Sequence, residues 1–365
     1  MIKIMGHAGY HRRVAINVGA GFVPGMNSVL MGAALAAGKL GWELVGIRDG
    51  FEGLLHPDQY PDGGLVPLSI ERVENLDPAT GGILGQAPRV DPFHTPNANQ
   101  SEVDLSGELL KRLEEEKFEA LISAVGNQGL EILYKLHLKG LHTVCIPRSI
   151  ENDIPSTAIS FGFNTALSVT IEMLNKAYQA ARSARKVGVV EVLGEQAGWI
   201  ALQAGIAARA DVVLIPEIPC NLKHAAARLK DKLSPRRPYG LVVVAEGAKF
   251  VDDSPAEGKA DGSVAERTAR TLQALIDEEF YPLAIGPWAR GGNPTAVDQQ
   301  LGMAFGAGAV ELLQSGQTAV MTAFDPPDIV SLPLKEAGHK VRTVPADNEF
   351  MTIAQSLGIY LGTPL

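Results

Sequence analysis

Residues 141–156 read LHTVCIPRSIENDIPS, an apolar run that leads into a charged and polar segment between Pro147 and Pro155. Short apolar runs rich in β-branched residues are typical of buried strands in parallel sheets. Ligands of open α/β sheets bind beyond the carboxyl ends of the strands, so the segment after this strand is a candidate functional site. The alternative interpretation is a solvated turn with an internal Arg–Glu pair.

Similar apolar runs alternate with helical patterns on both sides of this segment. Predicted strands cover residues 14–18, 43–47, 119–125, 187–192, 211–216 and 239–247. Predicted helices cover residues 25–38, 104–118, 163–184, 196–208, 222–232, 263–279 and 295–314, and a short helix and strand cover 348–362. This alternation predicts parallel sheets covered by helices on both faces. Because 365 residues exceed one ordinary core, we expect two α/β lobes with a cleft between them.

Composition excludes several classes of protein. The formal charge is −9 and no block of like charge dominates, which argues against nucleic acid as a main partner. No apolar run reaches the ~18 residues of a membrane span, and residues 1–19 lack a signal-peptide pattern. Cys145 and Cys220, the two cysteines of the chain, are predicted to be reduced and buried. These features predict a cytoplasmic protein.

The segment after the quoted strand carries groups that suit phosphate chemistry. Glu151 could act as a general base, or could hold Mg²⁺ through water together with Asp153. Arg148 could pair with a phosphate group.

Two further predicted strands end in glycine-containing loops. Gly19 and Gly21 permit positive φ before a helix, which suits phosphate, although Pro24 interrupts the G-x-G-x-x-G pattern and a tight turn is the alternative. Asn127 and Gln128 follow the strand 119–125 and can form hydrogen bonds, but they carry no charge and would bind Mg²⁺ poorly. The alternative for Asn127 is a helix N-cap.

Arg290 precedes two glycines in PWARGGNP (287–294) and could clamp an anion beside exposed backbone N–H groups. Its alternative is a surface ion pair of small energetic value. The motifs G-x-S-x-G, G-x-x-x-x-G-K-[ST] and H-x-x-x-H are missing from the sequence, which disfavours nucleophilic triads and P-loop NTPases.

Seven motifs, in order along nearly the whole chain, resemble those of the phosphofructokinase family, whose members depend on ATP or pyrophosphate. They are PGMN (24–27), GIRDGFEGLL (46–55), PRSIENDIPST (147–157), SFGFNTAL (160–167), VVEVLGEQAGWIAL (189–202), LIPE (214–217) and RGGNP (290–294). Each motif alone is weak, whereas their common order and spacing are specific.

The resemblance implies two Rossmann-like lobes with mainly parallel sheets and the active site in the cleft between them. A larger donor-binding lobe would comprise residues 1–160 and about 288–340, and a smaller sugar-phosphate-binding lobe about 161–287 and 341–365. The implied reaction is transfer of a phosphoryl group from pyrophosphate or ATP to the 1-hydroxyl of fructose 6-phosphate or a related sugar phosphate, with Mg²⁺. Such enzymes rely on positioning and charge neutralisation.

The resemblance also assigns roles to individual residues. The implied catalytic residues are Glu151, Asp153 and Ser149, and the implied metal ligands are Asn127 and Asp153. The implied donor-phosphate-binding residues are Ala20, Gly21, Asn127, Gln128, Gly129 and Arg148. The implied substrate-binding residues are Lys186, Leu193, Gly194, Glu195, Glu217 and Arg290.

Several of these positions depart from the family pattern. Glu151 replaces the catalytic aspartate, and Asn127 replaces the metal-associated aspartate, so a weakened Mg²⁺ site is expected. Phe22 replaces the aspartate of the first glycine loop. Glu195 replaces an arginine that supports transition-state charge, and Lys186 replaces an arginine of the sugar-phosphate clamp. The clamp's histidine and its other arginine fall at or near Pro287 and Tyr281.

Two functions from different classes therefore stay open. The first is a phosphotransferase, and the bulk of Gln128 and the charge of Arg148 favour pyrophosphate over ATP as its donor. The second is a catalytically impaired homologue that binds a phosphorylated ligand and regulates or scaffolds a partner. A nicotinamide dehydrogenase would rest on the incomplete glycine pattern alone. The family is usually dimeric or tetrameric, so a homodimer or homotetramer is expected.

Overall fold

The computed structural model describes residues 12–78, 82–86, 91–96, 101–251, 262–337 and 340–362. These residues form two compact units. The first unit takes its residues from 1–149, 154–162 and 293–340, and the second from 150–153, 163–292 and 341–365. Most of residues 1–19, in which the sequence predicts no signal peptide, lie outside the described residues.

Strands and helices alternate along the chain as predicted. The strands are β1 (Arg13–Val18), β2 (Glu43–Ile47), β3 (Leu65–Pro67), β4 (Thr95–Pro96), β5 (Glu102–Val103), β6 (Ala120–Val125), β7 (Thr143–Ser149), β8 (Phe161–Gly162), β9 (Val187–Val192), β10 (Val212–Leu214), β11 (Gly240–Ala245), β12 (Phe280–Ala284), β13 (Val320–Asp325) and β14 (Asp328–Pro333). The helices are α1 (Met26–Lys39), α2 (Glu52–Leu55), α3 (Ile70–Glu74), α4 (Ser106–Glu115), α5 (Asn127–Leu138), α6 (Phe163–Ala184), α7 (Trp199–Ala207), α8 (Leu222–Lys232), α9 (Val264–Leu275), α10 (Ala296–Gln314), α11 (Leu334–Ala337) and α12 (Glu349–Ser356).

The first unit contains a mostly parallel sheet in the order β14-β13-β7-β6-β1-β2-β3, with β8 paired to β7. The pairs β6–β7, β1–β6 and β1–β2 are parallel, whereas β2–β3 and β13–β14 are antiparallel. The central strands β6 and β7 are buried along almost their whole length, as their unbroken apolar sequences predict. Their carboxyl ends therefore lie at one edge of the sheet.

Helices α1 and α10 of the first unit pack closely, because a glycine of one helix faces the backbone of the other at two contact points. A Cβ added at Gly32 would lie 2.2 Å from the carbonyl oxygen of Met303, and one at Gly306 would lie 2.2 Å from that of Val29. No side chain fits at either distance, so these two glycines set the separation of the helices.

The second unit contains a parallel sheet in the order β10-β11-β9-β12. Its core includes Val189, Val242 and Leu272, none of which has exposed surface. The predicted helix in residues 348–362 is confirmed as α12, whereas the predicted strand is reduced to a single parallel bridge between Tyr360 and Val212. The predicted α/β class with mainly parallel sheets is confirmed in both units.

Several sequence-based expectations need correction. Strand β7 extends to Ser149, so Arg148 and Ser149 are strand residues that pair with β8 and not part of a turn. The turn begins after them, and residues 150–153 group with the second unit although they were assigned to the first lobe. The strands β3, β4, β5, β8, β12, β13 and β14 are not among the predicted strands. A two-residue strand such as β8 carries no periodicity. Helices α4 and α9 are shorter than predicted.

Both cysteines are free and buried, as predicted. Within the described part of the chain, no helix combines the length and apolarity that crossing a membrane requires.

Candidate active site

In the first unit, three loops follow neighbouring strands at the same edge of the sheet. Strand β6 lies between β1 and β7, and both pairs, β1–β6 and β6–β7, run parallel. The loops carry Ala20 and Gly21 after β1, and Asn127, Gln128 and Gly129 after β6. The fold therefore brings together most of the residues that the sequence predicts for donor-phosphate binding; their binding role stays a prediction.

Arg148, near the end of β7, ties this strand to the loop after β1. Its guanidinium donates hydrogen bonds to the carbonyl oxygens of Ala20 and Gly21, and the residue is only 5% exposed. Gly21 has φ of +83°, whereas Gly19 does not need positive φ and instead packs against Val125. The arginine thus contributes a fixed positive charge beside the first glycine loop, where an anionic ligand would be stabilised.

The interpretation of Asn127 as a helix N-cap is wrong. Helix α5 has Gly126 as its N-cap residue, and Asn127 is the first helical residue. Gln128 is exposed, and Gly129 is required by packing, since a Cβ there would lie 2.5 Å from the Cβ of Val125. The exposed end of α5 therefore presents amides and no carboxylate.

In the second unit, charged residues surround Glu151, for which the sequence predicts a catalytic role. The carboxyl group of Glu151 interacts electrostatically with Asp153, Glu246 and Arg290, and it accepts a hydrogen bond from the backbone N–H of Glu195. Arg290 ends a short 3-10 helix, Gly286–Arg290, that follows β12. Three segments that are distant in sequence therefore converge on Glu151.

Burial is the main cause of an unusual protonation equilibrium at Glu151. Burial, followed by the negative charges of Asp153 and Glu246, raises the pKa of Glu151 to about 7. The N–H of Glu195 and the charge of Arg290 oppose this change. A carboxyl group with a pKa near neutrality can accept a proton from a substrate hydroxyl at physiological pH.

This pKa predicts a dependence of stability on pH. The pKa of Glu151 is higher in the folded protein than the ordinary value of 4.5, so folding favours the protonated form. The stability that protonation confers is complete below pH 4.5 and is lost as the pH rises through about 7. Glu151→Gln, which mimics the protonated side chain, should therefore raise the melting temperature at pH 8 and change it little at pH 4.

Thermal unfolding of wild type and Glu151→Gln between pH 4 and pH 9 measures this difference. The exposed Glu172, paired with Lys176 on α6, provides the matched control Glu172→Gln. An equal melting temperature for Glu151→Gln and wild type at pH 8 would contradict the raised pKa.

Glycines hold the loop after β9 in place. A Cβ at Gly247 would lie 1.9 Å from the carbonyl oxygen of Glu195, and Gly194 has φ of +139°. The N–H of Gly247 donates to the carbonyl oxygen of Gly194 at 3.1 Å, and the N–H of Gly194 donates to a carboxylate oxygen of Glu246 at 3.3 Å. Leu193 is buried at the start of this loop. The backbone of Glu195 is thus fixed against the end of β11, while its side chain is exposed.

Glu217 has a structural role in the second unit. Its Oε1 accepts hydrogen bonds from the N–H groups of Gly198 at 2.9 Å and Val344 at 2.8 Å. Gly198 is the N-cap residue of α7. Glu217 therefore ties the start of α7 to the carboxyl-terminal segment, and its predicted role in substrate binding stays a prediction.

Truncation separates these two roles of Glu217. Glu217→Ala removes the acceptor for two backbone N–H groups, so we expect the free energy of unfolding to fall by about 2 kcal/mol. Urea denaturation measures this loss, and Glu217→Gln, which keeps one acceptor oxygen, should lose less. A purely structural residue leaves KM for the sugar phosphate unchanged, whereas a tenfold rise in KM would support substrate binding.

Lys186 lies away from the other predicted substrate-binding residues of its unit. It immediately precedes β9 and forms a 2.6 Å ion pair with Glu279, whereas Leu193, Gly194 and Glu195 follow the other end of the same strand. A strand of six residues spans ~20 Å, so Lys186 and Glu195 are at opposite edges of the sheet. The structure does not bring Lys186 and Arg290 together within this unit.

Sequence reasoning missed two charged residues near Glu151. Glu246 directly follows β11, and the strand-end rule that identified the other loops could have identified it. Burial, followed by the charges of Glu191 and Glu195, raises the pKa of Glu246. Arg342 contacts the segment that carries Glu151, and no sequence signal indicated it.

The donor atoms for a metal are few. Asn127 belongs to the first unit and Asp153 to the second, and together they offer one carboxylate. Among the residues that the structure describes, no three His, Cys, Asp or Glu side chains form a group that could hold a metal ion. Mg²⁺ prefers carboxylate and phosphate oxygens, so the predicted ligands Asn127 and Asp153 do not fit a resident Mg²⁺ ion. We therefore derive no step through a metal.

Parallel sheets whose strand-end loops present glycines and charged side chains are typical of α/β enzymes that bind phosphate groups. Comparison with known proteins identifies the family. The sequence profile described as Phosphofructokinase matches residues 13–313. The chain therefore belongs to the phosphofructokinase family, which supports an enzyme that transfers phosphoryl groups to sugar phosphates.

Curated relatives match along nearly the full length. The chain is 34% identical over 357 residues to "ATP-dependent 6-phosphofructokinase" of Chloroflexus aurantiacus, covering 97% of this chain and 99% of the relative. It is 33% identical over 355 residues to "ATP-dependent 6-phosphofructokinase 3" of Bacteroides thetaiotaomicron, covering 96% of this chain and 100% of the relative.

The fold is also similar to that of a solved structure, pyrophosphate-dependent phosphofructokinase from Marinobacter aquaeolei. The two share a TM-score of 0.77 at 20% identity, over 97% of this chain and 93% of the other. This similarity confirms the predicted phosphofructokinase fold.

Proposed function

We propose that this protein transfers a phosphoryl group from pyrophosphate or ATP to the 1-hydroxyl of fructose 6-phosphate or a related sugar phosphate. The observation that carries this proposal is the environment of Glu151, a partly buried carboxyl group with its pKa raised to about 7 beside Asp153 and Arg290. A general base works best when its pKa is close to the working pH. Surface carboxylates without such a role ordinarily keep a pKa near 4.

Each charged group near Glu151 has a role in this reaction. Glu151 accepts the proton of the attacking hydroxyl, which makes that oxygen the better nucleophile. The guanidinium of Arg290 binds the phosphate of the acceptor and lowers the cost of bringing a second anion close. Asp153 and Glu246 keep the proton affinity of Glu151 high. Ser149 supplies a hydroxyl next to this segment.

The donor binds in the first unit, at the loops after β1, β6 and β7. Arg148 supports pyrophosphate as the donor, because its buried guanidinium is anchored on the carbonyl groups of Ala20 and Gly21 and can neutralise phosphate charge. The curated relatives are named as ATP-dependent, which makes ATP the competing donor. Mg²⁺ would enter with the phosphates of either donor, since their oxygens supply the ligands that the protein lacks.

A second candidate function is binding of a phosphorylated ligand without turnover. Glu195 favours it, because this exposed side chain adds negative charge beside Glu246, and negative charge repels a transferring phosphoryl group. Asn127 favours it as well, because it offers no charge to a metal. In this candidate function the protein regulates or scaffolds a partner.

A coupled assay with fructose 6-phosphate and Mg²⁺ tests the proposal, run in parallel with pyrophosphate and with ATP. Turnover with either donor supports the phosphotransferase and identifies the donor. No turnover with either donor would reject it, and thermal stabilisation by fructose 6-phosphate would then support the binding protein. Sedimentation of the same sample tests the expected homodimer or homotetramer.

A further inference from the structure

The segment that carries Glu151 and Asp153 is held in an uncommon backbone conformation. Asn152, between the two acidic residues, has φ of +56° and is only 2% exposed. Few residues other than glycine adopt this conformation without cost, so surrounding contacts must maintain it. Those contacts decide where the carboxyl group of Glu151 lies.

Arg342 supplies two of these contacts from the carboxyl-terminal part of the chain. Its backbone N–H donates a hydrogen bond to the carbonyl oxygen of Asp153 at 2.7 Å. Its guanidinium Nη1 donates to the carbonyl oxygen of Asn152 at 3.2 Å. The carbonyl groups of two consecutive residues, Asn152 and Asp153, are therefore bound by one residue.

Arg342 is itself fixed against α7. Its guanidinium lies over the ring of Trp199 at 4.3 Å from the centroid, and the indole Nε1 donates to the Arg342 carbonyl oxygen at 2.9 Å. Trp199 is 3% exposed and is the first residue of α7. Two residues further along, Val344 is bound to Glu217, which also binds the start of α7. The arginine thus extends from a packed helix to the acidic segment.

Within the described ranges, the guanidinium of Arg342 is not paired with a carboxylate, the usual partner of a partly buried arginine. Among the residues that the structure describes, no carboxylate lies within ion-pair distance of Arg342, and burial lowers its pKa. Burying a charge away from water costs free energy unless hydrogen bonds and aromatic contact compensate. Here the compensating contacts are Trp199 and the carbonyl of Asn152, which is the arrangement expected of a residue that orients a loop.

We propose that Arg342 is a positioning residue, which holds the segment 150–153 so that Glu151 points at the acceptor hydroxyl. This inference rests on the proposed phosphotransferase function. Arg342 acts through the backbone of Asn152 and Asp153 and does not touch the substrate. Catalytic geometry is sensitive to displacements of about 1 Å, so loosening this segment slows the chemical step more than it weakens binding.

The variant Arg342→Ala removes the guanidinium and leaves the backbone hydrogen bonds. We expect kcat to fall about 100-fold while KM for fructose 6-phosphate changes less than about twofold. Arg342→Lys keeps a cationic hydrogen-bond donor, so its kcat should be about tenfold higher than that of Arg342→Ala. Trp199→Phe keeps an aromatic ring but loses the Nε1 donor, so a smaller fall in kcat is expected. Arg209→Ala is the matched control, because Arg209 also lies over a ring, that of Tyr178 at 5.4 Å, and should leave kcat unchanged.

Hydrogen exchange supplies a measurement that does not need turnover. Peptides that contain residues 150–155 should exchange about tenfold faster in Arg342→Ala than in wild type, while peptides from β9 should not change. Unchanged kcat and unchanged exchange in Arg342→Ala and Arg342→Lys would overturn the inference. An inactive wild type would instead reject the proposed function. Exchange of residues 150–155 would then decide by itself whether Arg342 holds the segment.

Discussion

Glu151→Gln is expected to reduce phosphoryl transfer by about 10³-fold, within the range that a general base contributes. Glutamine keeps the size and hydrogen-bonding capacity of the side chain but cannot accept the hydroxyl proton. The backbone N–H of Glu195 can still donate to the amide oxygen of the new side chain. The loss should therefore appear in kcat, with little change in KM for the sugar phosphate.

Steady-state kinetics with the donor that supports turnover measures this effect. The variant Glu172→Gln, on the exposed face of α6, controls for the loss of one negative charge and should retain full activity. Glu151→Asp tests whether the length of the side chain matters. The shorter side chain keeps the carboxylate but places it one methylene further from the substrate hydroxyl. If Glu151→Gln keeps the wild-type kcat, Glu151 is not the base and the proposed mechanism is wrong.

Glu195→Arg combined with Asn127→Asp is expected to raise the rate of phosphoryl transfer by about 10²-fold. One added cationic hydrogen-bond donor that stabilises the negative charge of the transferring phosphoryl group changes kcat by about 10²-fold. The side chain of Glu195 is exposed, so a longer arginine should be accommodated while the backbone N–H that binds Glu151 is retained. Asn127→Asp adds a carboxylate at the first position of α5, where the helix N-terminus tolerates negative charge and Mg²⁺ gains a ligand.

The single variants and the double variant should be compared in one assay. Glu172→Arg controls for charge reversal at an exposed glutamate of the same unit, and surface ion pairs of that kind contribute little. Turnover that occurs only in the double variant would establish that the wild-type protein is a binding protein. A double variant slower than an active wild type would mean that Glu195 serves an acceptor for which negative charge is favourable.

Sequence patterns identified the loops of the candidate site because parallel strands end at a common edge of a sheet. Gly21, Asn127 and Arg148 were found in this way, although they are separated by up to 127 residues. Glu246 obeys the same rule, but the predicted strand 239–247 includes it, whereas β11 ends at Ala245. Local periodicity predicts the ends of strands poorly, because the last residues of these strands are polar and do not continue the apolar pattern.

Other features depended on contacts that no local pattern encodes. The role of Glu217 as an acceptor for Gly198 and Val344 joins segments up to 127 residues apart. The contact between Arg342 and Asn152 spans 190 residues. Lys186 was expected with Arg290, yet its place before β9 puts it at the far edge of its sheet.

The order of motifs along the chain determined the fold and the family by itself, because strand and helix periodicity and glycine requirements are local properties of the residues. Only the tertiary structure decided the protonation of Glu151 and the partners of Arg342. Both depend on burial and on charges that meet when distant segments pack together, and desolvation has no counterpart in the linear sequence.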